Sequence, residues 1–298
     1  MMNKTLTVFT PAYNRSHTIG RTYASLCRQT SDDFKWIVVD DGSTDNTREL
    51  VAEWIEQAII TIEYYYKNNG GMHTAHNYAY QHIETELAVC IDSDDYMPDN
   101  AVESIINRWR EFGNNSKYAG IIGIDRYENG EVVGTYFPND LKECRVQDLW
   151  GLYRIRGDKK YVFKTDIIKK YLPYPEFPGE KNMTVNYVYY QITMDYLMLC
   201  TNDCYCVVEY QSDGLSAGIF RQYIRSPKSF MYTRNVYMGI LPSFSRRFRQ
   251  AIHYVSSAIF AKDSQFIRKA SRKLLVILAL PLGALLNLYI RYVNRKMK

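Results

Sequence analysis

Residues 221–298 are nearly devoid of acids: Asp263 stands alone against 16 of the chain's 37 lysines and arginines. That segment carries +15, while the first 220 residues hold 31 acids and 21 bases, so the overall +5 conceals an acidic body with a basic tail. Such a tail marks a contact with nucleic acid or an anionic membrane. Cysteine is sparse, six residues with no C-x-x-C pair. Cys200, Cys204 and Cys206 lie in an apolar, strand-like run without a matching histidine group, and read as buried thiols rather than metal ligands. No G-x-G-x-x-G follows the first strand-like run, which disfavours a dinucleotide site, and no G-x-x-x-x-G-K-[ST] occurs, which excludes a P-loop NTPase. Met1 leads almost directly into that run, so no signal peptide is expected, and with free thiols the reading is cytosolic.

What is present is ordinary globular composition, 46% hydrophobic and 23% charged over 298 residues, with 27 tyrosines. Apolar runs of strand length occupy 6–10, 36–40, 59–65, 87–91 and 120–124. Between them apolar residues recur at helical spacing: Ile19, Tyr23, Leu26 and Cys27; then Leu50, Val51, Trp54 and Ile55 behind an Asn46/Glu49 capping box; then 75–83 after Gly70-Gly71; then Val102, Ile105, Ile106 and Trp109. Strands alternating with helices predict a Rossmann-like, doubly wound, mostly parallel α/β sheet, in which ligands bind beyond the carboxyl ends of the strands.

Three polar loops sit at those ends: Thr-Pro-Ala-Tyr-Asn-Arg (10–15), Asp-Asp-Gly-Ser-Thr-Asp (40–45) and Asp-Ser-Asp-Asp (92–95). In extended backbone Asp92 and Asp94 would point the same way, a pair of hard oxygen donors suited to Mg²⁺ or Mn²⁺. The competing reading is a set of caps for the helix that follows, a role open to Asp95 and Asp99. The loop at 40–45 is either a turn with a helix cap or a carboxylate that accepts the imide N–H of a uracil ring.

Taken in order, Thr-Pro-Ala-Tyr-Asn-Arg (10–15), Val-Asp-Asp-Gly-Ser-Thr-Asp (39–45), Asn-Gly-Gly-x-His-Thr-Ala-His-Asn (69–77) and Asp-Ser-Asp-Asp (92–95) resemble the family 2 glycosyltransferases, inverting enzymes of the GT-A fold. Phe-Pro-Gly-Glu-Lys (177–181) and Glu-Tyr-Gln-Ser-Asp-Gly-Leu-Ser (209–216) are similar to a bacterial subgroup that builds surface polysaccharides. The resemblance implies a nucleotide-sugar-binding half (1–125) and an acceptor-binding half (126–220); about the last 80 residues match no family motif, and charge and periodicity mark 221–298 as a helical, basic C-terminal region. The resemblance also implies that Pro11, Ala12, Asn14 and Arg15 line the nucleotide pocket, that Asp41 holds the uracil and that Ser93 lies beside the ribose. Asp92 and Asp94 would form the metal motif, and Gly71 and Asn77 the wall near the diphosphate. The implied activity is transfer of a single sugar from a nucleotide-diphosphate donor, a UDP-hexose, to a lipid-linked or polysaccharide acceptor in capsule, exopolysaccharide or lipopolysaccharide synthesis. Gln222 is followed by Tyr-Ile-Arg, so the Q-x-x-R-W motif of processive members is absent.

Two departures stand out. Met72 occupies a place where the subgroup usually has lysine, so one phosphate contact is either missing or supplied by Lys67. Residues 182–186 contain no acid where a glutamate base is expected near Val185. Glu180 and Asp213 are the substitute candidates for the base, with Asp195 further along a helix. These departures also motivate an alternative, a non-catalytic sugar-nucleotide-binding or scaffold subunit.

In the tail, Phe244, Phe248, Ile252, Val255 and Ile259 mark a basic amphipathic helix. Residues 274–290 are an apolar run of seventeen, roughly 25 Å as helix against about 30 Å of hydrocarbon, interrupted by Pro281 and Gly283. Cationic clusters flank both ends, which opposes a spanning orientation. The expectation is a peripheral, in-plane or re-entrant anchor on the inner face of the plasma membrane. An ordinary core helix is the alternative, and nucleic-acid binding has no use for the apolar run.

Overall fold

The computed structural model describes residues 4–113, 115–209 and 219–296. Its strands are β1 (Leu6–Ala12), β2 (Phe34–Asp40), β3 (Ile62–Tyr66), β4 (Leu87–Cys90), β5 (Tyr118–Tyr127), β6 (Glu143–Cys144), β7 (Lys159–Lys164) and β8 (Leu197–Val208). They form an eight-stranded sheet in the order β3-β2-β1-β4-β7-β5-β8-β6. Its helices are α1 (Ile19–Cys27), α2 (Thr47–Gln57), α3 (Met72–His82), α4 (Ala101–Phe112), α5 (Val146–Leu149), α6 (Thr165–Ile168), α7 (Asn186–Asp195), α8 (Ile219–Arg225), α9 (Pro227–Ile240), α10 (Phe244–Ala261), α11 (Phe266–Lys269) and α12 (Lys273–Lys296).

The β3-β2-β1-β4 half is parallel throughout. The three inner strands β1, β2 and β4 are largely apolar and buried because helices cover them: Val8, Trp36, Val38 and Val89 share one core with Leu26, Val51, Trp54, Ile105 and Trp109. Tyr23 stacks on Trp54 with centroids 4.3 Å apart. Beyond β4 the expected parallel order is interrupted. β7 lies between β4 and β5, antiparallel to both, and β5 then pairs parallel with β8. The sheet is mostly parallel, as expected, with two antiparallel strands: the inserted β7, which its lysines disguise in the sequence, and the two-residue edge strand β6 on β8.

Two compact units divide the chain. The sheet unit takes residues up to Asn69, Thr74–Pro173 and the chain from Ile192 through β8. The helical unit takes Gly70–His73, Tyr174–Gln191 and α8 to α12. The 174–191 segment, read from sequence with the acceptor half, therefore packs with the C-terminal helices. There Tyr187 is buried against Tyr174 and Tyr232 and is core, while the half-buried Tyr190 packs edge-on against Tyr237.

The tail corrects one reading. α10 forms as expected and buries Ala251, Tyr254, Val255 and Ala258, with Phe244 68% exposed at its start. α12 runs 24 residues straight through Pro281 and Gly283. Gly283 is a packing notch, since a Cβ there would lie 2.5 Å from the Val255 side chain and 2.9 Å from the Ile252 carbonyl oxygen.

Candidate active site at the carboxyl edge of the sheet

The loops after β1 and β2 interlock. The Asn14 backbone N–H donates to Ser43 Oγ (2.9 Å), and Thr44 N–H donates to the Asn14 side-chain oxygen (2.8 Å). Asn14 takes a left-handed φ of 53° to do this, a conformation asparagine tolerates better than most residues. Ser16 and Thr47 both donate to the Asp45 carboxylate. Burial pushes that carboxyl up, but the hydrogen bonds outweigh it and hold Asp45 at about 2. α2 begins after Asn46 as expected, yet Asn46 makes no side-chain cap; Asp45 caps Thr47 instead.

The two aspartates ending β2 have different jobs. Asp40 is buried and structural: it accepts from Ser43 N–H (2.7 Å) and from the Tyr64 hydroxyl (2.6 Å). Asp41 is buried too, and its Oδ1 lies 2.5 Å from Lys67 Nζ, which also donates to the Asn68 carbonyl and Thr74 Oγ1. Lys67, a candidate for the phosphate contact, pairs here with Asp41. Gly42 has φ +84°, and a Cβ there would meet the Asn69 backbone at 2.8 Å. Asn69 in turn donates to the Asp41 carbonyl (2.8 Å). This clamp fixes Asp41 beside Ala12, whose carbonyl accepts the Asp41 N–H at 2.7 Å.

After β4 the backbone does not stay extended. It turns at Ser93 and Asp94, with Asp95 N–H donating to the Asp92 carbonyl at 3.0 Å. Asp92 and Asp94 are half-buried, whereas Ser93 and Asp95 are buried, so the alternation expected of a strand is produced by a turn. Among the described residues, no group of three or more metal-ligating side chains converges. Two hard carboxylates with no further protein ligand fit Mg²⁺ or Mn²⁺, which keeps positions for water and phosphate oxygens, and do not fit an all-protein cage. Asn77, on α3, is buried.

Beneath this turn lies a residue that sequence reasoning did not single out. The β4/β7 register, Leu87 opposite Lys164 and Val89 opposite Val162, carries Lys160 to the carboxyl end of β4. Its ammonium is buried, 4.0 Å from Asp95 Oδ2. Burial disfavours that charge, but Cys206, Asp125, Asp92 and Asp95 outweigh it and push Lys160 up. Burial also pushes the Cys206 thiol up, so it stays protonated at neutral pH and the three carboxylates are the effective partners. No periodicity marks Lys160, because lysines at 159, 160 and 164 look like a solvated face.

In the helical unit, Gly71 has φ +95°, and a Cβ there would fall 1.8 Å from the Lys181 carbonyl oxygen, so no side chain fits without moving backbone. Glu180 accepts from the backbone N–H groups of Lys228 (2.9 Å) and Ser229 (2.8 Å) at the start of α9. That is an N-terminal helix cap, favoured by the helix dipole. Asp195 accepts from the Tyr171 hydroxyl in the sheet unit. Asp213 lies outside the described residues.

The family model described as Glycosyl transferase family 2 matches residues 7–161, just over half the chain. The chain belongs to glycosyl transferase family 2. It is 34% identical over 104 residues to the UDP-Glc:alpha-D-GlcNAc-diphosphoundecaprenol beta-1,3-glucosyltransferase WfgD of Escherichia coli, covering 34% of this chain and 40% of that one. It spans about half or less of the length of the first curated relatives it matches. Among solved structures, S. aureus TarS 1-349 in complex with UDP-GlcNAc is similar with a TM-score of 0.58 at 17% identity, over 89% of this chain and 75% of that one. The mannosyltransferase PcManGT from Pyrobaculum calidifontis, in complex with GDP-Man and Mn²⁺, is similar with a TM-score of 0.55 at 16% identity, over 97% and 88%. These structural likenesses establish the fold, GT-A.

Proposed function

We propose that this family 2 member transfers one sugar from a UDP-hexose to a lipid-linked or polysaccharide acceptor in bacterial surface-polysaccharide synthesis, with inversion. The observation that carries the reading is the placement of the half-buried Asp92/Asp94 pair after β4, on the same sheet edge as the Asp41 clamp after β2. In this reading Asp41, oriented by Lys67, accepts the uracil imide N–H. Pro11, Ala12, Asn14 and Arg15 bound the nucleotide pocket, Ser93 lies beside the ribose, and Gly71 and Asn77 shape the diphosphate wall. Asp92 and Asp94 would hold Mg²⁺ or Mn²⁺, which when bound stabilises negative charge on a departing diphosphate. The acceptor hydroxyl attacks the anomeric carbon, the bond to the diphosphate oxygen breaks with its electron pair, and the hydroxyl proton passes to a base. The names of the WfgD, TarS and PcManGT relatives support a nucleotide-sugar donor, and that of WfgD supports a lipid-linked acceptor. The basic helices would attach the protein peripherally to the inner face of the plasma membrane, where such acceptors lie.

A screen of UDP, GDP, TDP and CMP sugars with Mn²⁺ tests the donor: turnover confined to a UDP sugar is expected, and a GDP or CMP preference sinks the Asp41 assignment. For the base the candidates are Glu180 and Asp213, and Glu180→Gln separates them. An amide supplies one acceptor oxygen to the two α9 N–H groups where the carboxylate supplies two. The cap therefore predicts a loss of about 1 kcal/mol in stability with kcat reduced less than about tenfold. A fall in kcat of about a hundredfold or more at unchanged Tm assigns the base to Glu180.

A further inference from the structure

α12 reverses the usual arrangement of a surface helix. Its buried side is made of Leu275, Val276, Ala279, Gly283, Asn287 and Ile290, a set that includes small and polar residues. It packs on α10, with the Gly283 notch receiving Val255 and Asn287 donating to the Ser256 carbonyl at 3.1 Å. The exposed side is the greasy one. Leu274 (79%), Leu278 (64%), Leu285 (60%) and Leu288 (62%) are open, and Ile277, Leu282, Tyr289 and Tyr292 continue the same stripe at intervals of three and four. From Leu274 to Tyr292 no charged side chain interrupts it except Arg291, whose Nε is turned to Asn287 Oδ1 and whose guanidinium lies over the Phe260 ring. A stripe of that length and composition is not left to water.

We infer that α12 lies flat in the surface of an anionic bilayer, with Leu274, Ile277, Leu278, Leu282, Leu285 and Leu288 in the acyl boundary and Tyr289 and Tyr292 at headgroup level. Charge selects this occupant. Arg272 and Lys273 at one end and Arg295 and Lys296 at the other are exposed, and Asp263 is the single acid of residues 221–298. Cations at both ends of an apolar stripe suit a helix parallel to anionic headgroups. Length does not exclude spanning, since 24 residues reach about 36 Å. Packing does: one flank of α12 is occupied along its length by α10, which carries Arg246, Arg247 and Arg249 and would be drawn into hydrocarbon with it.

The inference rests on the membrane-attached reading above, and it is tested with no sugar donor present, so its failure is separable from failure of the transfer reaction. The full chain is expected to float with phosphatidylcholine vesicles containing about one part in three phosphatidylglycerol, and to bind pure phosphatidylcholine about tenfold less. Leu278→Glu with Leu285→Glu, at exposed positions where folding is indifferent, should lower the bound fraction about tenfold or more at unchanged circular dichroism. Tryptophan introduced by Leu278→Trp, Leu285→Trp or Tyr292→Trp should be quenched by shallow-brominated lipid in every case, measured over the parent signal. Depth that changes steadily along the three positions means a spanning helix and overturns the proposal. So does equal flotation of the double variant, or a lipid-free dimer that the double variant dissolves without any vesicle binding.

Discussion

Asp92→Asn and Asp94→Asn should each lower kcat/KM for donor turnover by about a thousandfold or more, while Tm moves by no more than a few degrees. The asymmetry follows from where the two side chains sit. Both are half-buried on a turn that the backbone bond from Asp95 N–H to the Asp92 carbonyl already closes, so neither carboxylate is needed to make it. Removing one formal charge from a two-carboxylate site leaves a divalent ion a single protein ligand of that kind. Asp40→Asn supplies the contrast: Asp40 is 1% exposed and accepts from Ser43 N–H and the Tyr64 hydroxyl, so its loss should show first in stability. Calorimetric titration with UDP, with and without Mn²⁺, reads the binding half directly. Manganese-dependent UDP affinity that survives in Asp92→Asn removes the metal from that loop, and the proposed mechanism with it.

How far this was legible before any coordinates depends on which force shapes each element. β1, β2 and β4 are largely apolar runs followed by polar or acidic loops, and burial on both faces writes that pattern directly, although β1 continues through Pro11 to Ala12. The loops that follow them lie on one sheet edge for the same topological reason, so Asp41, Asp92 and Asp94 could be placed there from sequence, and their roles in transfer are the proposal. The pair after β4 was placed by assuming an extended backbone, and a turn does the work instead. β7 was illegible because Lys159, Lys160 and Lys164 make a buried strand look solvated; only pairing with β4 and β5 reveals where their ammonium groups go. Nothing local in the sequence shows that Lys67 Nζ reaches back to Asp41, so that ion pair was not legible. The tail erred differently: Pro281 and Gly283 are breakers by local rule, yet Pro281 sits on the exposed side of α12 and Gly283 fits against Val255.

Lys160→Met is expected to destabilise the metal-free protein by about 3–5 kcal/mol at pH 8, the range for breaking a buried ion pair, and by progressively less towards pH 5. Burial first, then neighbouring carboxylates, push Asp95 up to about 7 and Asp125 up to about 6, with Lys160 opposing both rises. Asp125 Oδ1 also lacks a hydrogen-bond partner among the described residues, so its charge is poorly satisfied by anything but Lys160 and Lys159 nearby. Each folded value lies above the unfolded one of about 3.9, so the stability these groups contribute is complete below that pH and is lost as pH rises through about 6 and about 7. Without the ammonium both carboxyls rise further, and the loss on the alkaline side deepens. On the acid side the comparison reverses, because an ammonium buried among protonated acids is a cost that methionine does not carry. Urea unfolding of parent and variant at pH 5, 6.5 and 8 in the presence of chelator measures the slope. A deficit that is the same at all three values would assign the loss to packing alone and leave Lys160 without its electrostatic role. Because Asp95 closes the turn that presents Asp92 and Asp94, the variant should also lose donor turnover at pH 8, with Mn²⁺ recovering part of its stability.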